Sequence, residues 1–115
     1  MSYRKEFPDF PESDMPAIPE GFKDVSWHND AMPSFTNPDL RLSIWIDYAD
    51  PEKREFPEME RFSLHTVNED GFIENEAPHV HTDDWNTILH KISDIREELN
   101  RQVMAHEISE ERKEA

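Results

Sequence analysis

Two histidines one residue apart, followed by an aspartate, are the residues of this chain best suited to chemistry. They are His79, His81 and Asp83, in the run His-Val-His-Thr-Asp-Asp. In an extended segment residues i and i+2 lie on one side, so both imidazoles would face the same way. Two imidazoles and a carboxylate can hold Zn²⁺ and leave a coordination position open. The pattern therefore permits a small metal-dependent hydrolase that uses His79 and His81.

A simpler interpretation of this run requires no cofactor. Short histidine motifs often occur without a metal, and Asp83 and Asp84 suit the first turn of a helix, where the helix dipole favours negative charge. On this interpretation His79 and His81 are ordinary loop residues. The sequence alone leaves both interpretations open, with no cofactor as the default.

The secondary-structure elements that would position these residues include a strand predicted at residues 40–48. Its even-numbered residues are aliphatic or aromatic and alternate with Arg41, Ser43, Trp45 and Asp47, the pattern of a half-buried strand. Further strands are predicted at 25–27, 61–68 and 72–74, the last two separated by Asn-Glu-Asp-Gly, a hairpin signal. Residues 28–39 read as a polar loop. The prediction is an antiparallel meander of three or four strands.

A long helix is predicted to begin at Asp83, and its end is expected to fray after Ile108. Its apolar residues recur every three or four positions: Trp85, Ile88, Leu89, Ile92, Ile95, Leu99 and Val103. This single stripe predicts an amphipathic helix packed on one face of the sheet, so that Ile92 lies near Ile44. Thr82 is the expected N-cap. The fold class is therefore α+β, with one long C-terminal helix on one face of the meander.

The domain organisation follows from composition along the chain. Residues 1–24 contain four of the nine prolines and predict an extended arm. Residues 25–108 form the single α+β domain, and the charged residues 109–115 are expected to fray. The arm is either mobile or docked, and Phe7 and Phe10 are suited to cover a sheet face.

The sheet face away from the helix is a candidate binding surface for another protein. It would present Arg41, Trp45, Arg61 and His65, and an aromatic residue with flanking arginines is typical of an interface anchor. The alternative is that the proline-rich arm covers Trp45. Both interpretations remain open at the level of the sequence.

The predicted helix is longer than the predicted sheet, which raises the possibility of a homodimer. A nine-residue strand spans about 30 Å, whereas a helix from 83 to 106 spans about 36 Å and one that continues to 113 about 46 Å. Val103, Met104 and Ile108 would then overhang, and a second copy of the chain could cover them.

The net charge of −15 and the absence of Cys limit the classes of function. Direct binding to nucleic acid is disfavoured because it requires clustered Lys and Arg. Disulfides and thiolate catalysis are excluded, and neither a signal peptide nor a membrane span is predicted, so a cytoplasmic location is the default. The sequence favours a small acidic, non-enzymatic protein that acts through protein–protein contact. Two alternatives are a nucleic-acid mimic that inhibits a DNA- or RNA-binding protein and the hydrolase described above.

Overall fold

The computed structural model describes residues 2–74 and 79–114, with side chains up to residue 103. The elements in chain order are one helical turn α1 (Tyr3–Glu6), the strands β1 (Lys23–Asp24), β2 (Ser34–Asn37), β3 (Leu42–Ile46), β4 (Phe62–Thr66) and β5 (His79–Thr82), and the helix α2 (Trp85–Glu114). The sheet order is β1-β2-β3-β4-β5, and each pair of neighbours is antiparallel. The predicted α+β meander with one long C-terminal helix is confirmed, with five strands instead of three or four.

The core lies between one face of the sheet and α2. The alternation of β3 turns Leu42, Ile44 and Ile46 to this face, where the apolar stripe of α2 meets them. Ile44 and Ile92 belong to the same buried cluster, as the sequence predicts. Burial of each such side chain contributes about 1.5–3 kcal/mol, so this contact fixes the helix on the sheet.

Two of the five strands lie where the sequence predicts irregular structure. β2 falls inside the stretch predicted as a polar loop, and Phe35 is its one large apolar residue. Phe35 pairs with Ile44 and is buried in the core. β5 occupies the segment with the two histidines, where Val80 pairs with Leu64. Both strands are short, and tertiary pairing rather than local propensity decides their conformation.

The strands predicted at 25–27 and 72–74 differ from the structure in position or extent. β1 is two residues long and precedes the first of these segments. The second contributes an isolated bridge between Ile73 and Val67. The turn before it does form: Asn68 Oδ1 accepts hydrogen bonds from the N–H groups of Asp70 and Phe72 at 2.9 and 3.1 Å.

The start of α2 is capped by Asp84 and not by Thr82. Asp84 Oδ1 accepts a hydrogen bond from the Asn86 N–H at 3.0 Å, which satisfies one of the free donors at a helix N-terminus. Thr82 is the last residue of β5, and its Oγ1 accepts from the Asp84 N–H at 3.0 Å. The predicted cap is therefore wrong by two residues because the strand continues to Thr82.

The proline-rich arm packs on the same face of the sheet as α2. Phe7 and Phe10 belong to the core cluster, and the Phe10 ring lies 4.8 Å from that of Tyr48. The Tyr3 N–H donates to Asp24 Oδ2 at 2.7 Å, and Arg96 of α2 donates to the Glu20 carbonyl at 2.6 Å. The two phenylalanines therefore do not serve as a lid on Trp45, which lies on the opposite face.

Gly21 allows the arm to turn closely past the sheet. Its φ is +90°, a left-handed conformation that favours glycine. A Cβ at this position would lie 2.8 Å from Asn37 Nδ2. Any side chain there would strain the backbone and displace Asn37.

The described residues contain no helix that combines the length and apolarity needed to cross a membrane.

Candidate functional site

A groove of about 320 Å³ opens where α2 leaves the sheet. Its apolar walls come from Leu42, Leu64 and Val80 of the sheet and from Ile95 of α2. The strand alternation and the helical repeat place these four side chains on the facing sides of the two layers. The groove is therefore a continuation of the core that remains accessible from outside.

The apolar stripe of α2 continues beyond the groove without a covering element in the described part of the chain. Ile88 and Ile92 are buried, whereas Leu99 is 36% exposed and Val103 is 57% exposed. Leu99 and Val103 lie one and two helical turns past Ile95, on the same side of the helix. The exposed end of the stripe and the groove thus form one apolar surface, which we call the α2 groove.

Charged groups at the edge of the α2 groove are mainly acidic. Asp94 and Glu98 line it together with Lys91. Glu98 also forms hydrogen bonds and ion pairs along the helix, with Gln102 at 3.3 Å and with Arg101 at 3.7 Å. An apolar floor with two carboxylates and one ammonium at its edge suits an apolar partner that carries positive charge.

A second cluster of functional side chains lies on the opposite face of the sheet. His65 of β4 pairs with His79 of β5, and His81 pairs with Ser63. Alternation places all four side chains on the face away from α2. The ring centres are 4.7 Å apart for His65 and His79, 5.5 Å for His65 and His81, and 6.5 Å for His79 and His81.

Hydrogen bonds fix the orientation of the His65 ring. Its Nδ1 lies 2.7 Å from His79 Nδ1, and its Nε2 lies 2.8 Å from Ser63 Oγ. Burial, reinforced by the neighbouring His79 and His81, lowers the pKa of His65 from 6.5 to about 4. A neutral His65 shares one proton with His79 across the 2.7 Å contact, since one Nδ1 must donate and the other accept.

The predicted zinc ligands are only partly brought together. His79 and His81 do share one side of β5, but Asp83 lies past the end of the strand, and its Oδ1 accepts from the Arg61 N–H at 2.8 Å. The third imidazole beside them is His65, which the sequence assigns to the partner-binding face. As the side chains stand, no group of three or more His, Asp or Glu residues in the ranges described above is arranged to hold a metal ion.

The four residues predicted to bind a partner lie in different environments. Trp45 is half-buried on the face away from α2, and its Nε1 donates to Ser43 Oγ at 3.2 Å. Arg41 lies in the turn between β2 and β3 with a φ of +56°, and its guanidinium is 3.6 Å from Glu69. His65 belongs to the histidine cluster. Their joint use as a binding surface stays a prediction.

Arg61 is engaged in contacts that connect the arm to the sheet. Its guanidinium donates to the carbonyl oxygens of Asp14 and Asp47, and it stacks over the Phe62 ring at 4.7 Å. Burial lowers the pKa of Arg61, although the nearby Asp14 carboxylate opposes this shift. The guanidinium therefore has a structural role in addition to any contact with a partner.

Of the residues predicted to form a dimer contact, Val103 is exposed on α2 as described above. Met104 and Ile108 lie outside the residues whose side chains the structure describes.

The α2 groove and the place of His65 in the histidine cluster are not predictable from the local sequence pattern. The cluster depends on the register that sets His65 opposite His79. β5 contains only one aliphatic residue, Val80, so local alternation gives little signal for that pairing. The groove depends on how far α2 stays in contact with the sheet, which the helical repeat does not determine.

Comparison with known proteins gives no match: no protein-family profile, curated protein or solved structure shows significant similarity to this chain.

Proposed function

We propose that this protein is an acidic protein-binding module that acts through contact with another protein, and that the α2 groove receives the partner. The observation that supports this proposal is the apolar stripe of α2, which runs from the buried Ile92 through the accessible groove to the exposed Leu99 and Val103. A continuous apolar surface edged by charged residues is typical of a protein–protein interaction site.

The shape and charge of the α2 groove favour a basic amphipathic helix as its occupant. An elongated apolar groove between a helix and a sheet accepts side chains spaced i, i+3, i+4 and i+7 along a partner helix. Asp94 and Glu98 at its edge, within a chain of net charge −15, favour Lys and Arg around those apolar anchors. A second copy of the chain would bring another charge of −15 and is therefore disfavoured.

We propose a cytoplasmic location as the default. The proposed function of the α2 groove is binding alone, with no chemical step.

Binding of a designed peptide to the full chain tests this proposal. The probe is an amphipathic helix of about 18 residues with Leu at the i, i+3, i+4 and i+7 positions and Lys elsewhere. We expect saturable binding by fluorescence anisotropy, weakened about tenfold by Leu99→Ser, because loss of an apolar anchor at the exposed end of the α2 groove costs more than 1 kcal/mol. The matched control is Phe72→Ser, whose side chain is 70% exposed and does not line the groove.

Two further controls separate groove binding from non-specific attraction to an acidic protein. A peptide of the same composition with its Leu residues dispersed should bind at least tenfold more weakly, because it retains the charge and loses the apolar face. Equal binding of both peptides, or equal binding to the wild type and to Leu99→Ser, would contradict the proposal. A dimer at micromolar concentration that Leu99→Ser dissociates would contradict it as well, since a second copy would then occupy the groove.

A further inference from the structure

Three histidines on neighbouring strands provide a candidate metal site beside the proposed partner groove, and of the three His65 also lines that groove. They come from two neighbouring strands, His65 from β4 and His79 and His81 from β5. The pairing places His65 directly opposite His79, and the i, i+2 spacing brings His81 to the same side. We infer that His65, His79 and His81 bind a divalent transition-metal ion of the Zn²⁺ class.

The spacing of the three rings is close to that of a three-histidine site. A tetrahedral ion 2.0–2.1 Å from each nitrogen places the ring centres about 5 Å apart. His65 lies 4.7 Å from His79 and 5.5 Å from His81, so two of the three separations already agree. The third, 6.5 Å between His79 and His81, requires an inward rotation of the exposed His81 ring.

His65 and His79 hydrogen-bond to each other with the nitrogens that would bind the ion. His65 Nδ1 and His79 Nδ1 point at each other across 2.7 Å, whereas two nitrogens bound to one tetrahedral ion are about 3.4 Å apart. The side chains as they stand do not enclose a metal position, and the ion would have to open this contact to bind. Insertion of the ion opens the contact by about 0.7 Å, a small rotation for side chains on a partly exposed face.

Ser63 supplies the hydrogen bond that would select the correct tautomer of His65. When Nδ1 binds the ion, the single proton of the neutral ring lies on Nε2, which is 2.8 Å from Ser63 Oγ and donates to it. Histidine ligands of metals are usually oriented by such a bond from their second nitrogen. The three imidazoles would leave a fourth position for water, and the ion would join β4 to β5.

Calorimetric titration of the metal-free full chain with ZnCl₂ tests this inference. We expect one equivalent to bind at about pH 7.5, because binding of the ion requires neutral imidazoles. His79→Gln should weaken binding by more than tenfold, and Ser63→Ala by about tenfold, because it removes the orienting bond. His81→Gln, at an exposed position, provides a second ligand variant if His79→Gln does not fold. His90→Gln, on the exposed side of α2, is the matched control and should bind as the wild type does.

A spectroscopic readout identifies the ligands directly. Addition of Zn²⁺ should shift the imidazole ¹⁵N resonances of His65, His79 and His81 and leave those of His28 and His90 unchanged. Asp83→Asn distinguishes this site from the one predicted from sequence, and it should not alter affinity. Absence of binding at about 100 µM Zn²⁺, or equal weakening by His90→Gln and His79→Gln, would overturn the inference. Loss of binding in Asp83→Asn with full retention in Ser63→Ala would also overturn it.

Discussion

His65 illustrates how a side chain's titration follows from its place in the sheet. Its pKa falls to about 4 because burial disfavours the charged ring and because His79 and His81 lie beside it. In the unfolded chain the same ring has its ordinary pKa of 6.5. Between these two values the unfolded state holds more protons than the folded state.

Because the unfolded state binds more protons than the folded state, the protein is predicted to lose stability in acid. The contribution of His65 to the free energy of unfolding is fully present above pH 6.5 and is lost progressively as the pH falls towards about 4. In urea unfolding with EDTA, the wild type should therefore lose stability more steeply over this range than His65→Gln does. The variant His90→Gln should retain the wild-type slope, and identical slopes for wild type and His65→Gln would contradict the prediction.

At the residue scale, the sequence shows which side chains have metal-binding or acid–base groups. It predicts less well which of these side chains lie next to each other in the fold. The i, i+2 spacing correctly places His79 and His81 on one side, because it depends only on an extended backbone. The third imidazole beside them depends on strand register, which sets His65 opposite His79. Asp83 instead accepts a backbone hydrogen bond from Arg61.

At the scale of elements, periodicity succeeds where a segment is long and fails where it is short. The stripe of α2 extends over several turns, and the alternation of β3 gives five consecutive matching positions. β2 contains one large apolar residue between Pro33 and Pro38, so turn-forming residues dominate its local signal. Its conformation is fixed by pairing with β3, which no local pattern reveals.

The N-terminal arm is predicted to be essential to the core. Phe10 is 5% exposed, and its ring packs against Tyr3 and Tyr48. Phe10→Ala should lower the free energy of unfolding by about 3 kcal/mol, because it removes a large buried ring and leaves a cavity. Urea denaturation measures the change.

Phe56→Ala is the matched control for this substitution. Phe56 is 52% exposed, so the same change there should cost less than about 1 kcal/mol. Equal effects of the two substitutions, or rapid proteolysis of the arm in the wild-type protein, would show that the arm does not contribute to the core in solution.

For the whole molecule, the dominant electrostatic property is unbalanced negative charge. The described residues contain three ion pairs between formally charged side chains, all of them exposed: Arg4–Glu12, Arg41–Glu69 and Arg101–Glu98. Such pairs contribute about 0–1 kcal/mol each. They offset little of the repulsion expected from a net charge of −15.

Salt should therefore stabilise the protein. An increase from about 0.02 M to about 0.5 M NaCl screens repulsion among the acidic side chains and should raise Tm. Calorimetric melting of a variant with Glu58→Gln, Glu60→Gln and Glu97→Gln, all at exposed positions, should show a smaller increase. A Tm that falls with salt in the wild type would mean that the few ion pairs outweigh the repulsion.

The connectivity of the sheet also implies an order of assembly. Each strand pairs with the strand that precedes or follows it in the chain, so the meander can grow by successive short loop closures. The arm is different, because its bonds reach from Asp14 to Arg61 and from Glu20 to Arg96. Closing such long loops has a larger entropic cost. Residues 1–24 therefore complete their contacts only after α2 has packed on the sheet.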